Sequence, residues 1–198
     1  IWENGGLMQA IRIIPCLDIK DGRIVKGTNF VHLRDVGDPV EAARAYEAAG
    51  ASELVILDIS ATIERRETMQ DVTHKIASAI RIPLTVGGGI RSTEDISRLF
   101  AAGAKRVSLN SVAVRNPLIL DEAVHLFGSD RIILAIDALW NPASDRYDVY
   151  THGGQVNAGL DAVSWAVDAA KRGVGALLPT SMDRDGTKAG YDNRLNKL

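Results

Sequence analysis

The chain has 198 residues, a formal net charge of −2, 46% hydrophobic and 24% charged residues. That is enough for one domain with a sizeable core, and it offers no basic surface for nucleic acid. The longest apolar runs, such as Ile132 to Ile136, are strand-sized, well short of the roughly 18 residues that span a membrane. A single cysteine, Cys16, excludes a disulfide framework and a multi-cysteine metal site within one chain; with no signal-like start this points to the cytoplasm. His32, His74, His125 and His152 lack ligand spacing, so no metal or cofactor is expected. The sequence opens on Ile1; Met8 reads as the natural start, and Ile1 to Leu7 are set outside the fold.

Short apolar runs alternate with helical patterns. Ile11 to Leu17 predicts a first strand ending at Asp18, with Cys16 inside it as a buried core thiol. A helix follows over Pro39 to Ala49: Asp38 is a good N-cap, Pro39 suits the first helical position, and Gly50 ends it. Leu54 to Leu57 is the second strand, ending at Asp58, and Thr68 to Ala79 the next helix. Leu84 to Val86 runs into Gly87, Gly88 and Gly89; Ser92 then caps a helix that Gly103 closes. Arg106 to Leu109 ends at Asn110, and Asn116 and Pro117 start a helix through Phe127. Ile132 to Ile136 ends at Asp137; Asp161 to Arg172 is a helix. Ala176 to Leu178 is the sixth strand, followed by a polar loop from Ser181 to Asp192.

Six βα units with short connections and uniformly apolar strands mean a parallel sheet covered by helices. An open doubly wound sheet and a barrel both fit that order. The polar residues decide for a barrel: Asp18, Asp58, Gly87, Asn110, Asp137 and Thr180 all fall at C-terminal strand ends, which a barrel gathers around one mouth. A weak internal repeat supports this. Asp18 and Asp137 each precede a hairpin-like insertion, Arg23 to Val25 and Tyr147 to Thr151, so residues 8–128 read as one half-barrel and 129–198 as part of a second. The fold expected is a single α/β domain over 8–198, an incomplete (β/α)8 TIM-barrel type with two further βα units to follow. Open sheet edges would then favour self-association and weak activity in the isolated chain.

Asp18 and Asp137 fall on opposite sides of the mouth, where paired carboxylates can divide acid and base work; the bland reading is that each caps its loop. The three glycines, with Asn110 and Ser111, suit a phosphate cradle against the reading of a tight turn. The run is neither GxGxxG nor a P-loop, so nucleotide binding is disfavoured. Thr180, at the sixth strand end, joins the substrate-binding candidates. The Ser181 to Asp192 loop is either a solvated segment or a lid, and Lys26 either a solvated hairpin lysine or a partner for phosphate or aspartate.

The match then becomes specific. Ile14-Pro15-Cys16-Leu17-Asp18, Asp21 to Gly27, Val86 to Ile90, Ser108 to Ser111, Ala135-Ile136-Asp137 and above all Thr180 to Asp192 resemble the cyclase-subunit family of imidazole glycerol phosphate synthase. The resemblance covers Met8 to about Leu195. It implies a lyase of histidine biosynthesis that turns ammonia and a bis-phosphorylated formimino-carboxamide ribonucleotide into imidazole glycerol phosphate and aminoimidazole carboxamide ribotide. It implies a glutaminase partner at the N-terminal barrel face. Asp18 and Asp137 match the general acid and base, and Asp185 an assisting loop carboxylate. Gly88, Gly89, Asn110 and Ser111 match a phosphate site, and Lys26 a mouth lysine. Arg12, Glu53 and Arg106 match charges at the ammonia entrance, whose fourth charge is replaced by Ala176. A related phosphoribosyl isomerase, an ammonia-using paralogue or an inactive barrel fragment are the alternatives.

Overall fold

A computed structural model describes residues 11–28, 31–59 and 65–197; Met8 and Ile1 to Leu7 lie outside the described residues. In chain order the elements are β1 (Cys16–Lys20), β2 (Arg23–Thr28), β3 (Val31–Gly37), α1 (Pro39–Ala48), β4 (Leu54–Asp58) and α2 (Arg65–Ala79). Then come β5 (Leu84–Gly87), α3 (Thr93–Ala101), β6 (Arg106–Leu109), α4 (Ser111–Arg115) and α5 (Leu118–Phe127). After these come β7 (Ile132–Asn141), β8 (Arg146–Thr151), β9 (Val156–Asp161), α6 (Ala162–Lys171) and β10 (Ala176–Ser181), with a last short 3-10 turn over Leu195–Lys197. The first helix is capped as its sequence dictates: Asp38 Oδ1 accepts the N–H groups of Val40 and Glu41 at 2.9 and 3.0 Å.

The ten strands among the described residues form one sheet. Its parallel spine runs β1-β4-β5-β6-β7-β10, so strands adjacent in the spine follow one another in sequence. There is no reversal of order and hence no switch point, which separates this arc from a doubly wound sheet. Side chains on one side of the strands pack under the helices: Leu54, Ile56, Val107, Ile132 and Leu134 are fully buried with Ile76, Ile96 and Leu120. Burying each such side chain is worth roughly 1.5–3 kcal/mol. This layer fixes which residues point the other way, and so which reach the concave face.

The structure corrects several expectations. Ile11 to Pro15 are not strand; Pro15 accepts the N–H of Val55 at 2.9 Å, while Ile11 and Ile13 are 94% and 78% exposed. Only β4 flanks β1 along Cys16 and Leu17 among the described residues, since pairing with β2 starts at Asp18. Cys16 is therefore exposed on the concave side rather than a core thiol. Desolvation by the walls around it, then the Asp18 charge, still push its thiol up to about 12. Asp18 and Asp137 do not end their strands. Each stands where its strand begins to pair with the antiparallel strand of its hairpin, β2 and β8 respectively. Both hairpins also carry a third strand, β3 and β9, that the sequence does not signal. The expected Asn116 to Phe127 helix is preceded by a separate short turn of helix, α4.

Candidate active site

The side chains predicted for the mouth converge along the C-terminal ends of the spine. Asp137 is set by β7, whose core-facing neighbours Ile136 and Ala138 are buried and turn the carboxylate to the other face. Asn110, at the end of β6, donates from Nδ2 to Asp137 Oδ2 at 2.9 Å. Thr180 lies beside Asp137 in the β7–β10 register, and its hydroxyl donates to the same carboxylate. Asp18 is placed by β1 in the same way, between buried Leu17 and Ile19. Its charged neighbours are Lys26 on β2 and Asp185 from the loop after β10.

Burial pushes the carboxyls of both Asp18 and Asp137 above the usual carboxylate range. Lys26 opposes this at Asp18; the Thr180 and Asn110 hydrogen bonds oppose it at Asp137. The negative charge of Asp185 adds to the rise at both sites. Two separated carboxyls, each biased toward holding a proton, are what proton transfer near neutral pH requires.

The glycine turn is more constrained than its sequence suggests. A Cβ on Gly87 would strike Ser108 Oγ, and one on Gly88 would strike the Asp58 main chain. Two of the three glycines therefore have packing reasons. Gly88 and Gly89 also adopt φ of +87° and +68°, where side chains are disfavoured. Gly89 alone faces relatively open space, with Asp58 Oδ2 3.6 Å from its would-be Cβ. Ser111 Oγ accepts the N–H of His152 at 3.2 Å, which leaves its hydroxyl hydrogen to donate. The Asn110 side chain faces Asp137, so any role at a phosphate falls to its main chain.

The loop after β10 is strapped down. Asp192 accepts from Tyr147 Oη at 2.9 and 3.0 Å, from Ser181 Oγ at 2.7 Å, and from the N–H groups of Arg194 and Leu195. Asp183 accepts the Trp140 N–H, and Arg194 stacks on the Trp140 ring. The sequence shows no periodicity that joins Tyr147 and Trp140 to this loop; only their place in a hairpin after an active-site strand hints at it. Within the loop, the Asp185 N–H donates to Ser181 at 2.9 Å, so the strap also locates this acidic residue.

At the opposite, N-terminal ends of the strands, Glu53 is 3% exposed. Arg106 Nη1 contacts its two oxygens at 2.9 and 3.1 Å, Thr85 donates at 3.0 Å, and Arg12 approaches to 3.9 Å. Ala176 on β10 adds no charge there. Among the described residues no group of three His, Cys, Asp or Glu could hold a metal ion, and no helix is long and apolar enough to cross a membrane.

Residues 12–198 match the family model described as histidine biosynthesis protein. The chain is 55% identical to imidazole glycerol phosphate synthase subunit HisF of Leuconostoc mesenteroides, over 94% of this chain and 73% of that protein. It is 56% identical to the HisF of Bacillus cereus strain G9842, over 96% of this chain and 75% of the relative. The HisF of Trichormus variabilis is 55% identical over the same shares.

Proposed function

The chain belongs to the histidine biosynthesis family, as a cyclase subunit of imidazole glycerol phosphate synthase with the (β/α)8-barrel type of fold, and from that premise we propose that its chemistry runs between Asp18 and Asp137. The activity is that of a lyase in histidine formation. The ammonia nitrogen forms two C–N bonds to the bis-phosphorylated ribonucleotide: one to the formimino carbon, whose bond to the ribotide nitrogen breaks, and one to the ketone carbon of the sugar chain, whose oxygen leaves as water, and so the imidazole ring closes. Asp137 is the base. Both its neighbours donate to it, which favours the ionised carboxylate, so it takes a proton from the attacking nitrogen. Asp18 is the acid and protonates the departing ribotide nitrogen, with burial first and the Asp185 charge second keeping its proton affinity high.

One phosphate lies over Gly88, Gly89 and the Asn110–Ser111 main chain, where positive-φ glycines bare their amides and Ser111 has a hydrogen to give. Lys26 screens charge at the mouth. A synthase subunit implies a companion. We place a glutaminase subunit at the N-terminal face, over Arg12, Glu53 and Arg106, whose buried carboxylate is already matched by two cations.

The observation that carries this reading is the pair of burial-raised carboxyls on opposite flanks of one concave face. With ammonium salt as the nitrogen source, Asp18→Asn and Asp137→Asn should each lower turnover by about 10²- to 10⁴-fold. Near-normal turnover in either variant would remove the role assigned to that residue.

A further inference from the structure

The amide of Asn110 is half used. Its nitrogen holds Asp137 Oδ2 at 2.9 Å, while among the described residues its oxygen Oδ1 is buried and without a hydrogen-bond partner. The backbone fixes this arrangement. Asn110 stands at φ −128° and ψ −93°, and its own carbonyl accepts the N–H groups of Ala113 and Val114. A buried acceptor with no protein partner costs free energy unless a donor from outside the chain meets it, so this oxygen is a place for such a donor.

The donor's chemistry follows from what lies beside it. A phosphate oxygen is itself an acceptor and cannot satisfy Oδ1. A sugar hydroxyl has one hydrogen and cannot serve both Oδ1 and the adjoining Asp137 carboxylate. A small molecule carrying two or more hydrogens, water or ammonia, can meet both acceptors at once, and of the two it is ammonia that the proposed reaction consumes.

We propose that Asn110 is a positioning residue that holds Asp137 with its amide nitrogen and seats the incoming ammonia between its amide oxygen and that carboxylate. The ammonia lone pair then points away from both acceptors, toward the substrate carbon. The inference rests on the reading of Asp137 as the base, yet it has its own test.

In the full chain with ammonium as nitrogen source, Asn110→Leu should raise KM for ammonium about tenfold while KM for the ribonucleotide stays within about twofold. The acidic limb of kcat/KM should move to higher pH, because Asp137 loses a bond to its charged form. Asn110→Asp keeps an acceptor and deletes the donor. It should leave KM for ammonium unraised and move the acidic limb further, and it carries the test if urea melts show that Asn110→Leu does not fold. An unmoved acidic limb overturns the hold on Asp137. A raised ribonucleotide KM with an unchanged ammonium KM overturns the ammonia seat. Near-normal turnover in Asp137→Asn beside a raised ammonium KM in Asn110→Leu would sink the base assignment and leave the seat standing.

Discussion

The hairpin after β1 and the hairpin after β7 occupy matching places in the two halves of the chain, but they are held by different means. The first is tied at its surface: Arg23 bonds Asp35 at 2.9 Å with both side chains about half exposed, and its ladder slips twice. The second is built around Asp148, 3% exposed, which accepts from Asn141, Arg146 and Asn157 at 2.7, 2.7 and 3.0 Å. It then reaches through Tyr147 to the loop that carries Asp185. A surface ion pair is screened and contributes little, whereas a buried carboxylate with every partner in place fixes a geometry. The Asp137 side of the mouth is thus braced, and the Asp18 side is free to adjust around Lys26.

The contrast breaks most visibly in stability. Asp148→Ala strips three donors of their shared acceptor and should lower the melting temperature further than any other substitution in either hairpin, while Asp35→Ala should barely move it. Circular dichroism melts of the two variants decide this, and equal effects would refute the distinction. The Asp148 carboxyl is held below the usual range by Asn141, Asn157 and Arg146. Its contribution is therefore full above the ordinary carboxylate range and is lost as pH falls through the depressed value. The gap between wild type and Asp148→Ala should close only in strong acid.

A smaller effect tests the strap. Tyr147→Phe removes the hydroxyl bonded to Asp192 and should cost about 1–2 kcal/mol in a urea titration, with an unchanged slope. Asp192 keeps Ser181 and two backbone donors, so the loop should loosen rather than detach. On the proposed mechanism, in which Asp185 assists rather than transfers the proton, turnover should drop by less than about tenfold. A fall as deep as that of Asp18→Asn would mean that the strap does more than position the loop.

Much of this fold is legible in the sequence. Asp38 and Ser92 cap their helices as their positions predict, and strand cores such as Arg106–Leu109 match to the residue. Those signals are local. What stays hidden depends on neighbours distant in the chain. The first strand starts later than its apolar run because Ile11 and Ile13 look like core, yet a strand needs a partner on its flank. β3 and β9 escape because a hairpin's outer strand, wet on one face, carries no apolar run. At the site, Asp18, Asp137 and Thr180 are visible as polar ends of apolar strands. Spacing alone gives the Asn110 side chain to phosphate, because it cannot show that β6 and β7 lie side by side, with that amide pointing across at Asp137.

The smallest effect has the least familiar sign. Asp18 and Asp137 have proton affinities raised by folding, the reverse of Asp148. A raised carboxyl binds its proton more tightly in the folded chain, so stability is gained as pH falls through the raised value and is missing above it. At neutral pH both charges therefore oppose folding. On the proposed mechanism the concave face keeps them because proton transfer requires them, a usual conflict between function and stability. Asp137→Asn and Asp18→Asn should each melt slightly above wild type at pH 7, even as turnover collapses. The advantage should shrink as the pH is lowered and the wild-type carboxyls take up protons. Of the two, Asp137→Asn should gain less, because the aspartate's bonds from Asn110 and Thr180 already offset part of its burial. Calorimetry at pH 7 and pH 5 checks both the sign and the trend, and a clear loss of stability at pH 7 in both variants would show that these carboxylates hold the fold together instead of straining it.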